Sequence, residues 1–278
     1  MRTFDGKVVV ITGAGSGIGR ALALNLASRG AVLALSDKDE VGLLETAERC
    51  TTRHAREVRT DKLDVSDREA VAGYASDVRR ELGRVNAVFN NAGIALHGDF
   101  EETPYDEFAR IMDVNFWGVV HGTKEFLPHL IASGDGHLVN ISSLFGLMGM
   151  PGQTAYNASK FGVRGFTEAL RIEMLVAEHP VQVSCVHPGG IKTAIARNAR
   201  TTRSHDPESV AQLFDKKLAR TTADKAARVI VEGVLKNKPR IVVGGDAKIL
   251  DAYVRLAGPR YQSAVARLSS KVMPRPSR

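Results

Sequence analysis

Short runs rich in β-branched residues alternate with longer amphipathic stretches along most of this 278-residue chain, and no other feature constrains its fold so strongly. Lys7 to Thr12 reads as a strand, and Ile18 to Arg29 as a helix with Ala21, Leu22, Leu24, Leu26 and Ala27 on its apolar face. The alternation continues with strands at Ala31–Ser36, Glu57–Leu63, Val85–Asn90, Gly136–Ser142, Gln182–His187 and Lys238–Val243. Helical patterns lie between them at Glu40–His54, Asp67–Leu82 (with Ser66 as its expected N-cap), Pro104–Leu130 and Ala155–Ala177. Strand and helix in turn predict an α/β fold, a parallel sheet covered on both faces. Right-handed crossovers make that sheet doubly wound, in the Rossmann manner.

No repeat or low-complexity linker divides the chain, so a single domain is expected over residues 1–258, followed by a basic tail at 259–278. Residues 194–224, rich in Ala, Arg, Thr and Ser and without a clear strand, read as a lid over a substrate site. The tail carries Arg260, Arg267, Lys271, Arg275 and Arg278 and closes on Pro-Arg-Pro-Ser-Arg, an ending expected to fray.

The junction between the first strand and first helix is Thr12-Gly13-Ala14-Gly15-Ser16-Gly17-Ile18-Gly19. The spacing is G-x-x-x-G-x-G rather than G-x-G-x-x-G, but the physics is shared. Glycines let the backbone approach a pyrophosphate, and the unpaired N–H groups and dipole of the helix N-terminus favour negative charge. The second strand ends at Asp37, 18 residues beyond Gly19, close to where an acid meets the adenosine ribose of NAD. Such an acid repels the 2′-phosphate of NADP, whereas the adjacent Lys38 would attract it or simply remain solvated. Ser16 adds no positive charge, and NAD is the expected cofactor.

Tyr156 and Lys160 stand four residues apart on a predicted helix, one turn above each other on the same face. A free phenol titrates at about 10, and a fixed cation beside it favours the phenolate. That is the requirement for an acid/base at an alcohol or carbonyl oxygen. By spacing alone, the same pair also describes a half-buried ring beside a solvated lysine.

Bulk properties narrow the partners. Net charge is +7, with acidic and basic residues interleaved and no basic block threaded with aromatics, so nucleic acid is not an expected partner. A basic solvated surface, or a cleft attracting an anionic cofactor, fits better. Cys50 and Cys185 lack paired spacing and the eight histidines lack ligand spacing, so no disulfide framework or metal site is expected. No signal peptide and no run of about 18 apolar residues is visible, which leads to an expectation of a soluble, cytoplasmic protein without a transmembrane segment.

Taken in order, Thr12-Gly13-x3-Gly17-x-Gly19, Asp64 after a strand, Asn90-Asn91-Ala92-Gly93, Asn115, Ser143, Tyr156-x3-Lys160 and Pro188-Gly189 resemble the short-chain dehydrogenase/reductase family over roughly residues 5–193. Residues 194–278 match it only loosely. The resemblance implies a catalytic set of Asn115, Ser143, Tyr156 and Lys160. It implies a cofactor loop of Gly13, Ser16, Gly17, Ile18 and Gly19, a ribose contact at Asp37 and an adenine contact at Asp64 and Val65. Asn91, Ala92 and Gly93 would pack backbone against the cofactor, and Ser142 is expected to contribute to the same packing. Pro188, Gly189, Ile191 and Thr193 would meet the nicotinamide end, while Tyr156 and Lys160 also touch the cofactor.

In the mechanism this resemblance implies, Ser143 and Tyr156 grip the substrate oxygen and Tyr156 takes or gives its proton. Lys160 holds the ribose hydroxyls and lowers the phenol pKa, and Asn115 holds a water that relays protons. The implied activity is hydride transfer between a nicotinamide cofactor and an alcohol or ketone. Leu144, Phe145, Leu147, Met148 and Met150, with Ile94, Ala95 and Leu96, suggest a hydrophobic substrate such as a steroid, retinoid or fatty-chain alcohol, although such residues also build cores. Arg197, Arg200 and Arg203 place positive charge near the lid. The alternatives are an NADPH-dependent 3-oxoacyl or polyketide-type ketoreductase, favoured by Lys38, and a catalytically silent dinucleotide sensor or scaffold. The complete four-residue set argues against the last. By resemblance the chain is expected to form a homotetramer or dimer through the helices near 104–130 and 155–177.

Overall fold

The computed structural model of the chain describes residues 1–193, 195, 198–213 and 219–272. The first half runs β1 (Val8–Thr12), α1 (Gly17–Ala27), β2 (Val32–Asp37), α2 (Glu40–Thr51), β3 (Glu57–Lys62), α3 (Arg68–Leu82), β4 (Ala87–Asn90), β5 (Leu96–His97), α4 (Tyr105–Met112) and α5 (Gly118–Ser133). It continues with β6 (Gly136–Ile141), α6 (Thr154–Val176), β7 (Val181–Pro188), β8 (Ile191–Lys192), β9 (Arg200–Thr201), α7 (Pro207–Leu213), β10 (Thr221–Thr222), α8 (Ala223–Leu235), β11 (Arg240–Val243), α9 (Gly245–Ala257) and α10 (Tyr261–Val272).

Seven strands pair in the order β3-β2-β1-β4-β6-β7-β11, and every pairing is parallel. The seven strand runs legible in the sequence are these seven. The chain winds outward from β1 to β3 and then returns to β4 on the other side of β1. The crevice at this reversal, beyond the strands' carboxyl ends, is where a doubly wound sheet holds a ligand.

Alternation along the strands divides the core. Val9, Ile11, Leu33, Leu35, Phe89 and Val139 face one side, where Leu22 and Leu26 of α1 and Ile230 and Val234 of α8 cover them. Val10, Ala34, Val88, Leu138 and Val183 face the other, under Val71 and Val78 of α3, Phe126 and Leu130 of α5 and Leu170 of α6. Each fully buried side chain of this size contributes about 1.5–3 kcal/mol of transfer free energy, and the two-sided burial rigidly fixes the strand ends that carry the site.

Several local expectations change. The pattern over 104–130 is not one regular helix: Asp113–Trp117 form a π-helical turn between α4 and α5. Helix α3 is capped by Asp67, whose carboxylate accepts from Ala70 N at 3.0 Å. The expected cap, Ser66, instead donates its hydroxyl to Asp64. Short two-residue strands do occur in the 194–224 region: β9 pairs with β5 and β10 with β8. Helix α8 lies in a stretch where no element was expected. The segment after Gly258 is helical through Val272, while the expected frayed ending at 273–278 and the basic position Arg197 lie outside the described residues.

Candidate active site

Helix α1 begins at the crevice without any side-chain cap from Ser16 and without an acidic residue in its first turn. Its first N–H groups therefore keep their capacity for an external anion, in contrast to those of α2 and α3, which Asp39 and Asp67 cap. Gly17 takes φ +52°, and Gly19 packs so tightly that a Cβ would stand 1.9 Å from Gly13 O. Thr193 faces the loop, its methyl 3.2 Å from where a Cβ of Gly17 would be. Ile18 is half-buried, and Ser16 is exposed.

The floor of the crevice is knitted by β1 and β4. Thr12 Oγ1 accepts from Asn91 N and Ala92 N, both at 3.1 Å, and Asn91 Nδ2 donates to Thr12 O and Gly13 O at 3.0 Å. Asn90 turns inward to Thr123 and Asn140. At the end of β2, Asp37 accepts from Gly15 N at 2.8 Å and from Asp39 N at 2.9 Å, so its carboxylate is fixed beside the glycine loop. Lys38 pairs with Asp64 at 2.5 Å. Burial raises the pKa of Asp64, but its bonds to Lys38 and Ser66 outweigh this and hold the carboxyl below its ordinary value. Val65 is buried against Gly118.

The proton-handling residues come from three elements. Strand β6 delivers Ser142 and Ser143. The Ser142 hydroxyl donates to Lys160 O at 2.8 Å, and Ser143 Oγ accepts from Phe145 N at 3.1 Å and lies close enough to the Tyr156 phenol to favour its ionised form. Helix α6 presents Tyr156 and, one turn on, Lys160. The ammonium lies 5.6 Å from the phenol ring centroid and donates to Ile141 O at 3.0 Å. Asn115 sits in the π-helical turn, an insertion that re-aims its side chain from the helix flank. Its amide accepts from Ile94 N at 2.8 Å and donates to Ile94 O at 2.9 Å and Ser159 Oγ at 3.2 Å. Asn115 Oδ1 and Lys160 Nζ converge on Gly93, 3.2 and 3.5 Å from the position of a Cβ there.

One expectation is corrected here, while Ser142 is buried with its hydroxyl committed to α6. The phenol pKa is not lowered: desolvation raises it, and the nearby Ser143 hydroxyl only partly offsets that. Burial also pushes the Lys160 ammonium down to about 8. At this site desolvation outweighs the charge pairing inferred from the i, i+4 spacing.

Farther along, Gly189 N donates to Val243 O and Gly190 N to Asp246 Oδ2, which hold the turn after the buried Pro188, while Ile191 belongs to the core. Leu144, Leu147, Met148 and Leu96 are also buried as core, leaving Ile94, Ala95, Phe145 and Met150 half-buried, with the Phe145 ring edge-on to Tyr156 at 6.2 Å. Sequence reasoning missed three supports. Asn157 pins the pocket loop by accepting from Met150 N and donating to Phe145 O and Met148 O. His187 Nδ1 donates to Ser143 O at 2.9 Å, since a carbonyl only accepts. His97 stacks edge-on against His205 at 4.8 Å and contacts Gln153, joining β5 to the 194–224 region. A polar residue inside the Tyr156–Lys160 turn and a histidine preceding Pro188 were the available signals.

The residues fit a dinucleotide: an uncapped helix N-terminus, a glycine cradle and an oriented acid lie along one crevice. Comparisons agree with that geometry. A family model described as "short chain dehydrogenase" matches residues 7–204. The chain is 57% identical over 274 residues to the "Putative oxidoreductase SadH" of Mycobacterium tuberculosis, covering 99% of both proteins. It is 41% identical over 197 residues to the "Epidermal retinol dehydrogenase 2" of Mus musculus, covering 70% of this chain and 64% of that one. A Burkholderia phymatum short chain dehydrogenase/reductase crystallised with NAD superimposes at a TM-score of 0.82 with 30% identity, covering 100% of this chain and 99% of that one. The chain belongs to the short-chain dehydrogenase/reductase family and is an NAD(P)-dependent oxidoreductase acting on CH–OH groups.

Proposed function

We propose that this oxidoreductase prefers NAD and interconverts hydrophobic alcohols and their carbonyl counterparts, with Tyr156 as the acid/base. The observation that carries the reading is the Tyr156 phenol set beside the Ser143 hydroxyl, with the Lys160 ammonium 5.6 Å from the ring centroid. When bound, the nicotinamide supplies hydride exchange at the substrate carbon.

The chain's own residues handle the oxygen. Ser143 and Tyr156 converge on it from β6 and α6. A half-buried, neutral phenol donates its proton as a carbonyl is reduced. For alcohol oxidation it must first ionise, and Lys160 is the cation placed to favour that. Asn115, locked to Ile94 and Ser159, keeps its oxygen beside Gly93 and Lys160 for proton relay.

Asp37 supports NAD, because its carboxylate is held facing the loop where a 2′-phosphate would approach. Lys38, the residue favouring an NADPH-dependent ketoreductase, is drawn to Asp64 instead. The half-buried Ile94, Ala95, Phe145 and Met150 support a hydrophobic substrate, as does similarity to a protein named for retinol. Exposed Trp117, at the end of the π-helical turn that leads into α5, and Phe161 of α6 support a homo-oligomer through these helices, which sedimentation measures. Turnover of a panel of steroid, retinoid and fatty-chain alcohols with NAD and with NADP tests the function. The proposal requires turnover of apolar alcohols and a lower KM for NAD. Turnover confined to 3-oxoacyl thioesters with NADPH contradicts it.

A further inference from the structure

From Gly245 to Arg278 the sequence holds seven Lys and Arg against two acids, Asp246 and Asp251, a net +5 of the whole chain's +7. Four of these cations, Lys248, Arg255 (paired with Asp251), Arg260 and Arg267, are exposed on or just beyond a helix that also bears an apolar surface. Helix α9 turns Ala247, Leu250 and Val254 inward. There, together with Tyr261 and Val265 of α10, they pack on Leu144, Leu147 and Met148, and Tyr261 Oη accepts from Gly149 N at 2.8 Å. Its opposite face carries Ile249, Tyr253 and Leu256 at i, i+4 and i+7, which are 72%, 41% and 89% exposed. Lys248 and Arg255 flank that stripe, and Arg260, Arg267 and Leu268 are exposed just beyond it.

We propose that the outer face of α9 and α10 docks on an anionic lipid surface. A helix that is apolar on its outer stripe and cationic along its flank lies in the headgroup boundary. There the apolar side chains leave water and the cations meet lipid phosphates. No helix among the described residues is long and apolar enough to cross a membrane, so the contact is peripheral. The charge distinguishes this stripe from Ile172, Leu175 and Val176 at the end of α6, which are equally exposed but stand among Glu173 and Glu178. A second copy on the same face would bring like charges together. Nucleic acid would use the cations and leave the stripe in water. The docked face backs onto the loop after Ser143, the wall of the proposed substrate site.

Cosedimentation of the full-length protein with phosphatidylcholine vesicles, with and without phosphatidylglycerol, tests the proposal without requiring turnover. Binding is expected only to the anionic vesicles and should weaken as salt rises. Ile249→Glu/Leu256→Glu and, separately, Lys248→Glu/Arg267→Glu should each weaken it by about tenfold or more, while thermal unfolding and cofactor binding stay as in the parent. Three results would overturn it. One is no binding to anionic vesicles. Another is undiminished binding by the apolar double variant, which would mark a general polyanion surface. The third is a parent oligomer that the apolar double variant dissociates, which would mean a second copy covers the stripe.

Discussion

The Ser142 hydroxyl donates to the Lys160 carbonyl across 2.8 Å in the buried interior, fastening the end of β6 to the second turn of α6. Ser143 and Tyr156 are delivered by those two elements, so this bond sets their separation. Ser142→Ala should cost about 1–2 kcal/mol, the scale of one buried hydrogen bond. Urea unfolding measures that loss, and kcat should fall while cofactor affinity changes little.

Asp37 and Lys38 separate the cofactors. Asp37→Ala should weaken NAD about 10–100-fold, the loss of hydrogen bonds to a charged acceptor, and raise relative NADP affinity. Lys38→Ala should leave NADP affinity nearly unchanged, because Asp64 already holds that ammonium. Titration of both variants with NADH and NADPH by cofactor fluorescence checks the pair.

Lys160 illustrates a cost of function. Its folded-state pKa of about 8 lies below the ordinary 10.5, so burial of the cation destabilises the fold at neutral pH. The penalty is full below about 8 and disappears as pH rises towards 10.5. Lys160→Met should therefore unfold at higher urea than the parent at pH 7, with the advantage shrinking through that window, while turnover is lost.

Three buried histidines set the acid limit. Burial lowers His97 and His187 to about 4 and His137 to about 3, so all fold neutral. The unfolded chain binds more protons below 6.5, and stability must fall as pH drops from there towards 4. Each of His97 and His187 contributes roughly 3 kcal/mol to that fall. His187→Asn should flatten the acid limb of a stability–pH curve.

The sheet was legible because each strand is a short β-branched run bounded by turn residues, and its place is decided by burial on both faces. The glycine turn was legible because its chemistry is local. What sequence could not convey depended on tertiary contacts. Asn157 bonds an N–H and two carbonyls of a loop seven to twelve residues away, and His187 acts on Ser143 from a neighbouring strand. The phenol's direction of shift was misread because spacing reports the cation beside it and not the water excluded around it. Ser66 and Asp67 are both good caps, and only backbone geometry chooses between them.

The acid/base assignment of Tyr156 is tested most directly by Tyr156→Phe, which keeps the ring, the Phe145 contact and the apolar packing but removes the hydroxyl. Single-turnover hydride transfer should drop by about 10²–10⁴-fold or more while NADH binding stays within twofold or so of the parent. Turnover near the parent's rate, with cofactor binding intact, would contradict the role of Tyr156.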